Sequence, residues 1–87
     1  ARMKAITVYT TMVCPFCHAA KRLLTQLGLP FSEISLEDKP EMRQELMTRT
    51  NGYRMVPMLF FGDDFIGGFD QLKALHQSGK ILDRLNP

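Results

Sequence analysis

Apolar and polar positions alternate over Ala5-Ile6-Thr7-Val8-Tyr9, the two-residue period of a half-buried strand. Immediately downstream the period changes. Phe16, Ala19, Ala20, Leu23, Leu24 and Leu27 recur at i, i+3, i+4, i+7, i+8 and i+11, which predicts a helix from about Pro15 to Leu27, closed by Gly28 with Pro30 beyond. Phe31 to Leu36 alternates again as a second strand. Glu37-Asp38-Lys39-Pro40 is a polar break, and Pro40 suits the first position of a second helix that carries Met42, Leu46 and Met47 and ends near Asn51-Gly52. Met58-Leu59-Phe60-Phe61 and Phe65-Ile66 flank Gly62-Asp63-Asp64 and read as a hairpin. Phe69, Leu72 and Leu75 mark a third helix after Gly67-Gly68, and Ile81, Leu82 and Leu85 a short terminal one after Gly79.

The predicted order is therefore β-α-β-α-β-β-α-α, an α/β pattern without internal repeats. A βαβ crossover sets the first two strands parallel in one sheet, and the antiparallel hairpin completes a four-stranded mixed sheet. Composition narrows this further. The 87 residues, 45% of them hydrophobic, suffice for one modest core, so residues 1–87 read as a single domain. Eleven Lys and Arg against nine Asp and Glu leave a net charge of +2, too small to argue for a nucleic-acid partner. No apolar run is long enough for a signal peptide or a membrane span, and two cysteines are too few for a disulfide-stapled secreted scaffold. The expectation is a soluble, cytoplasmic monomer. The chain begins Ala1-Arg2-Met3, and Met3 is a candidate native start.

The chemistry lies in Cys14-Pro15-Phe16-Cys17, which contains the only two cysteines and stands where the first strand turns into the first helix. Two thiols at this spacing in a βα context form a redox motif. If Cys14 is the N-cap, Pro15 falls at N1, where its missing N–H costs nothing, and Phe16 and Cys17 fall at N2 and N3. The Cys14 sulfur then faces unpaired N–H groups and the positive end of the helix dipole, which stabilise a thiolate. A free cysteine titrates near about 8.5, and such settings lower it into a range of roughly 3.5–7.5. Cys14 is accordingly the expected nucleophile and Cys17, one turn in, the resolving thiol. The blander alternative, two buried apolar cysteines, does not account for the spacing.

Val8-Tyr9-Thr10, Cys14-Pro15-Phe16-Cys17, Met55-Val56-Pro57 and Ile66-Gly67-Gly68-Phe69-Asp70 stand in the order and approximate spacing of the YT, CPYC, TVP and GGxD segments of glutaredoxins, and over nearly its whole length the chain resembles that family. The resemblance implies a thioredoxin fold and glutathione-dependent thiol–disulfide exchange. It also bears on Pro57. X–Pro bonds are cis in only about 5–6% of folded cases, so the residues alone favour trans; the resemblance implies a cis-proline facing the cysteines. Val56 would then offer its main chain to an extended substrate as an added strand. The glutathione site implied by the family comprises Phe16, Val56, Pro57, Gly67, Gly68, Phe69 and Asp70, with the N–H groups of Phe69 and Asp70 holding the γ-glutamyl carboxylate and Asp70 near the ammonium. For Gly67-Gly68 a tight turn needing positive φ is an equally good account.

Several positions depart from the family pattern. Phe16 replaces the usual Tyr, Met55 the usual Thr, Thr11 a common Lys, and Gln71 a frequent Asp. His18, Lys21 and Arg22 lie on the helix after the cysteines and are candidates to compensate in part for the cation missing at Thr11, although solvated residues are the simpler reading. Gln44 and Arg54 stand where some relatives contact the glycine carboxylate of glutathione. Met12, Met55 and Met58 are candidates for an adaptable apolar wall, although methionine more often fills gaps in a core.

The resulting expectation is a dithiol enzyme that reduces disulfide-bonded and glutathionylated proteins, holds no organic cofactor or metal, and uses glutathione as reducing co-substrate. Two alternatives stand beside it. A redoxin reduced by thioredoxin reductase would fit the altered positions 11, 55 and 71. An iron–sulfur module would need a dimer and outside thiols, because one chain supplies too few thiolates, and Pro15 stiffens the loop against it. Zinc is weaker still, since Cys14, Cys17, His18 and His76 lack the spacing of a closed site.

Overall fold

The computed structural model describes residues 3–87; Ala1 and Arg2, which precede the candidate start at Met3, lie outside the described residues. Eight elements follow in the expected order: β1 (Ile6–Thr10), α1 (Pro15–Gln26), β2 (Ser32–Ser35), α2 (Pro40–Arg49), β3 (Met58–Phe61), β4 (Asp64–Gly67), α3 (Phe69–Gln77) and α4 (Ile81–Leu85). The strands form one sheet in the order β2-β1-β3-β4. β1 runs parallel to β2, with Tyr9 opposite Ile34, and antiparallel to β3, with Val8 opposite Leu59. β3 and β4 form the hairpin, which carries a register shift between Leu59 and Phe60.

The pleat sorts β1 and β3 onto two cores. Ile6, Val8, Leu59 and Phe61 meet Ala20, Leu24, Leu72, Ile81 and Leu85 on the face covered by α1, α3 and α4. Met58 and Phe60 point the other way and pack with Leu36 and Leu46 under α2. β3 is thus buried on both sides, which is why its sequence is a continuous apolar run rather than an alternation. Met58 belongs to this second core and not to a wall of the site.

On α1 the inward line is Cys17, Ala20 and Leu24, while Leu27 is the C-cap and Phe16 is 60% exposed. The predicted stripe therefore overreaches at both ends. Its first member is turned away from the core, toward the third helix. α2 starts with Pro40 at N1, as expected, and Asn51 and Gly52 beyond its end adopt positive φ. Thr10 is the one polar residue in the buried core of the described chain; its hydroxyl donates to the Glu33 carboxylate at 2.8 Å, and Lys21 reaches the same oxygen at 2.9 Å. Lys21 thus ties α1 to the edge strand β2 and is not the free solvated residue expected of it.

Candidate functional site

Cys14 is the N-cap of α1, with φ −151° and ψ 95°, and Pro15, Phe16 and Cys17 occupy N1 to N3. The Cys17 N–H donates to the Cys14 sulfur at 3.1 Å, so one of the orphan donors of the helix start is spent on that sulfur. The two cysteines are joined as a disulfide with Cα atoms 5.2 Å apart. Cys14 is 7% exposed and Cys17 only 1%, which leaves Cys14 as the sulfur an incoming group meets. Its sulfur lies 3.7 Å from the Val56 carbonyl oxygen. In the disulfide neither sulfur carries a proton, so this is a packing contact; on reduction the same geometry allows a weak S–H donor to face that carbonyl.

Val56 and Pro57 reach the cysteines from the loop before β3, and the bond between them is cis, as the family pattern implied and residue statistics alone did not. Across from them the chain leaves β4 and enters α3. Gly67 has φ +120°, a conformation in which a side chain is strained, and a Cβ there would also strike Gln71 at 2.8 Å. Gly68 follows as the N-cap of α3. Phe69, Asp70 and Gln71 hold N1 to N3, and the first helical bond runs from the Leu72 N–H to the Gly68 carbonyl at 3.2 Å. The N–H groups of Phe69 and Asp70 are left without an intrahelical acceptor.

A groove of about 220 Å³ joins these pieces. Phe16, Val56, Pro57, Gly68, Phe69 and Asp70 line it, so six of the seven expected binding residues converge on one cleft. Gly67 is not on its wall; it makes the turn behind it. Phe16 and Phe69 stack across one end with ring centroids 6.3 Å apart and planes inclined by 28°. That contact explains why Phe16 leaves the core line of α1. Larger hollows lie at the start of α2, about 490 Å³, and beside Lys4 and Phe31, about 470 Å³, but neither includes Val56 or the start of α3.

Three further residues line the groove: Tyr53, Met55 and Gln71. Met55 is 66% exposed at the rim. Gln71 does more than stand in for a missing acid, since its side-chain oxygen accepts the Gly68 N–H at 2.8 Å and closes the reciprocal half of a capping box. The signal was in the sequence, because a Gln three residues after a helix-opening Gly is a capping position. Tyr53 carried no such signal. Its ring packs edge-on against Phe65 at 5.1 Å and its hydroxyl covers Gly68, where an added Cβ would lie 2.6 Å from the phenol oxygen. Burial, and secondarily the Asp70 carboxylate, push the Tyr53 phenol above its ordinary range.

Other candidates fall outside the groove. His18, Arg22, Gln44 and Arg54 are exposed, and none of them lines it. Met12 is 75% exposed on the loop before Cys14, where its N–H meets the Glu37 carboxylate at 3.3 Å.

Comparison with known proteins agrees with this geometry. A family model described as glutaredoxin matches residues 6–66. A glutaredoxin of Pseudomonas aeruginosa is 43% identical over 79 residues, covering 91% of this chain and 93% of its own. Glutaredoxin 3 of Escherichia coli is 38% identical over 79 residues, covering 91% and 94%. Among solved structures, the buckwheat glutaredoxin–glutathione complex superposes with a TM-score of 0.85 at 29% identity over 94% of this chain and 76% of that one. The solution structure of the Brucella melitensis glutaredoxin gives 0.83 at 38% identity, covering 98% and 91%. With a thioredoxin fold and its redox-active Cys14–Cys17 pair at the head of α1, the chain belongs to the glutaredoxin family of thiol oxidoreductases.

Proposed function

We propose that the protein is a glutathione-dependent dithiol oxidoreductase that reduces protein disulfides and glutathione mixed disulfides in the cytoplasm, acting as a monomer. The observation that carries this reading is the contact of the Cys14 sulfur with the carbonyl of Val56, which lines a groove that continues to the start of α3 and its free N–H groups. An extended tripeptide with a thiol in its middle and a free α-carboxylate on its γ-glutamyl end matches that arrangement. Val56 offers main-chain pairing, and the α3 start offers donors for the carboxylate. The buckwheat relative, solved as a glutathione complex, supports the same ligand.

The exchange follows from the two unequal sulfurs. Cys14 thiolate attacks a target disulfide, forming a Cys14–target mixed disulfide and releasing the other target sulfur as a thiolate that takes up a proton. Cys17 thiolate then attacks the Cys14 sulfur, expelling the second target thiolate and leaving the Cys14–Cys17 disulfide. Glutathione thiolate reopens it, and a second glutathione removes the first as glutathione disulfide. On a glutathionylated protein, Cys14 takes the glutathione sulfur and one further glutathione completes the cycle. A coupled assay with glutathione reductase, against one with thioredoxin reductase, tests the reading: turnover is expected with glutathione, and turnover with thioredoxin reductase alone would overturn it.

A further inference from the structure

We infer that the Tyr53 hydroxyl is a specificity-determining donor for the carboxylate seated at the start of α3, taking over part of the recognition left by the altered positions 11, 55 and 71. The inference rests on the glutathione reading above and adds a residue that no periodic pattern or motif singles out. Tyr53 lines the groove together with Gly68, Phe69 and Asp70. Its phenol oxygen lies so close over Gly68 that a Cβ on that residue would approach it to 2.6 Å, which sets the hydroxyl at the N-cap of α3, beside the unpaired N–H groups of Phe69 and Asp70. The Gly68 N–H is already taken by Gln71 at 2.8 Å, so the helix start has one donor fewer for a ligand than its sequence suggests.

The hydroxyl makes no hydrogen bond among the described residues, and the ring behind it is held by Phe65 at 5.1 Å. A fixed phenol with an unspent donor, facing the positive end of a helix, is suited to an anionic oxygen and not to a cation. A phenol is protonated at neutral pH and available to donate, and burial first, then the Asp70 carboxylate, push its pKa further up. The neighbouring Asp70 carboxylate is an acceptor only, so the two side chains divide the γ-glutamyl end of glutathione between its carboxylate and its ammonium.

The test compares Tyr53→Phe with the wild type on two peptides that differ only in the small thiol attached to their cysteine: glutathione, or cysteinylglycine, which lacks the γ-glutamyl group. Tyr53→Phe keeps the ring on Phe65 and removes one donor. A hydrogen bond to a charged group in a partly open groove corresponds to a rise of about three- to tenfold in KM for the glutathionylated peptide. The expected result is that rise with little change in kcat, and no change in KM for the cysteinylglycine peptide. An unchanged KM for the glutathionylated peptide overturns the inference, as does an equal rise for both peptides, which would mean that the hydroxyl acts through packing. If the wild type itself fails to distinguish the two peptides, the glutathione reading fails first, and the variant is not needed to see it.

Discussion

The backbone N–H of Cys17 donates to the sulfur of Cys14 at 3.1 Å, so in the proposed exchange Cys17 supports the Cys14 thiolate through its main chain and carries the second step through its side chain. The two roles separate by mutation. Cys17→Ser retains that N–H, and with it the thiolate-stabilising end of α1. It is expected to keep glutathione-dependent deglutathionylation while losing reduction of protein disulfides that need the second thiol. Cys14→Ser is expected to abolish both. Alkylation rate against pH in the reduced Cys17→Ser protein should show a midpoint below the value of about 8.5 typical of a free thiol; a midpoint at or above it contradicts the assigned roles.

Gly68 is pinned between three neighbours. A Cβ there would approach the Tyr53 phenol oxygen to 2.6 Å, the Pro57 carbonyl oxygen to 3.4 Å and the Gln71 side chain to 3.6 Å. Gly68→Ala is therefore expected to push the Tyr53 hydroxyl aside and weaken glutathione turnover several-fold with a modest loss of stability, of order 1 kcal/mol. Steady-state kinetics together with urea unfolding check both parts. A variant with unaltered KM would show that the groove tolerates the methyl.

Restoring family-typical side chains should strengthen glutathione binding only where the structure leaves them room to act. Thr11→Lys adds a cation on the loop before Cys14, and Met55→Thr adds a hydroxyl on the groove wall. Together they are expected to lower the Michaelis constant for glutathione by a factor of about 3–10, since charge-assisted bonds contribute less when exposed. Gln71→Asp belongs to a different class. It removes the amide that accepts the Gly68 N–H and exchanges a helix cap for a charge, so it is expected to lower the melting temperature even if it gains an ammonium contact. Thermal unfolding of the single variants separates the two classes.

The element order and the place of the two cysteines at the head of α1 are legible in the sequence because each rests on local pattern: a period of two, a period of 3.6, and a Pro at N1 behind a capping Cys. Phe16 lines the groove although the apolar stripe of α1 counts it toward the core, because periodicity assigns a face without saying where the buried arc ends. Its stacking on Phe69, a residue 53 positions away, decides the matter. Lys21 shows the same limit. Its partner Glu33 lies on the adjacent edge strand, a pairing fixed only once β1 and β2 are in register. Tyr53 lay in a loop with no periodic pattern, and only the meeting of that loop with the β4–α3 turn gives its hydroxyl a task.

The Thr10–Glu33–Lys21 cluster makes stability depend on pH in a calculable direction. Hydrogen bonds first from Lys21 and then from Thr10 hold the Glu33 carboxyl below its ordinary value of 4.5. A carboxyl depressed by folding contributes stability that is fully present above the unfolded value and is lost as pH falls through the folded one. The Glu33 side chain is 40% exposed and that of Lys21 23%, so solvent and salt screening keep the contribution at about 0.5–1 kcal/mol. Glu33→Gln should therefore be less stable than the wild type by that amount at pH 7, and the difference should shrink once the pH drops below 4.5 and nearly vanish in stronger acid. Urea unfolding of both proteins at pH 7 and near about pH 3 reads this directly. A gap of the same size at both pH values would mean that the Thr10 hydroxyl and the packing around it, not the charge on Glu33, hold α1 to the edge of the sheet.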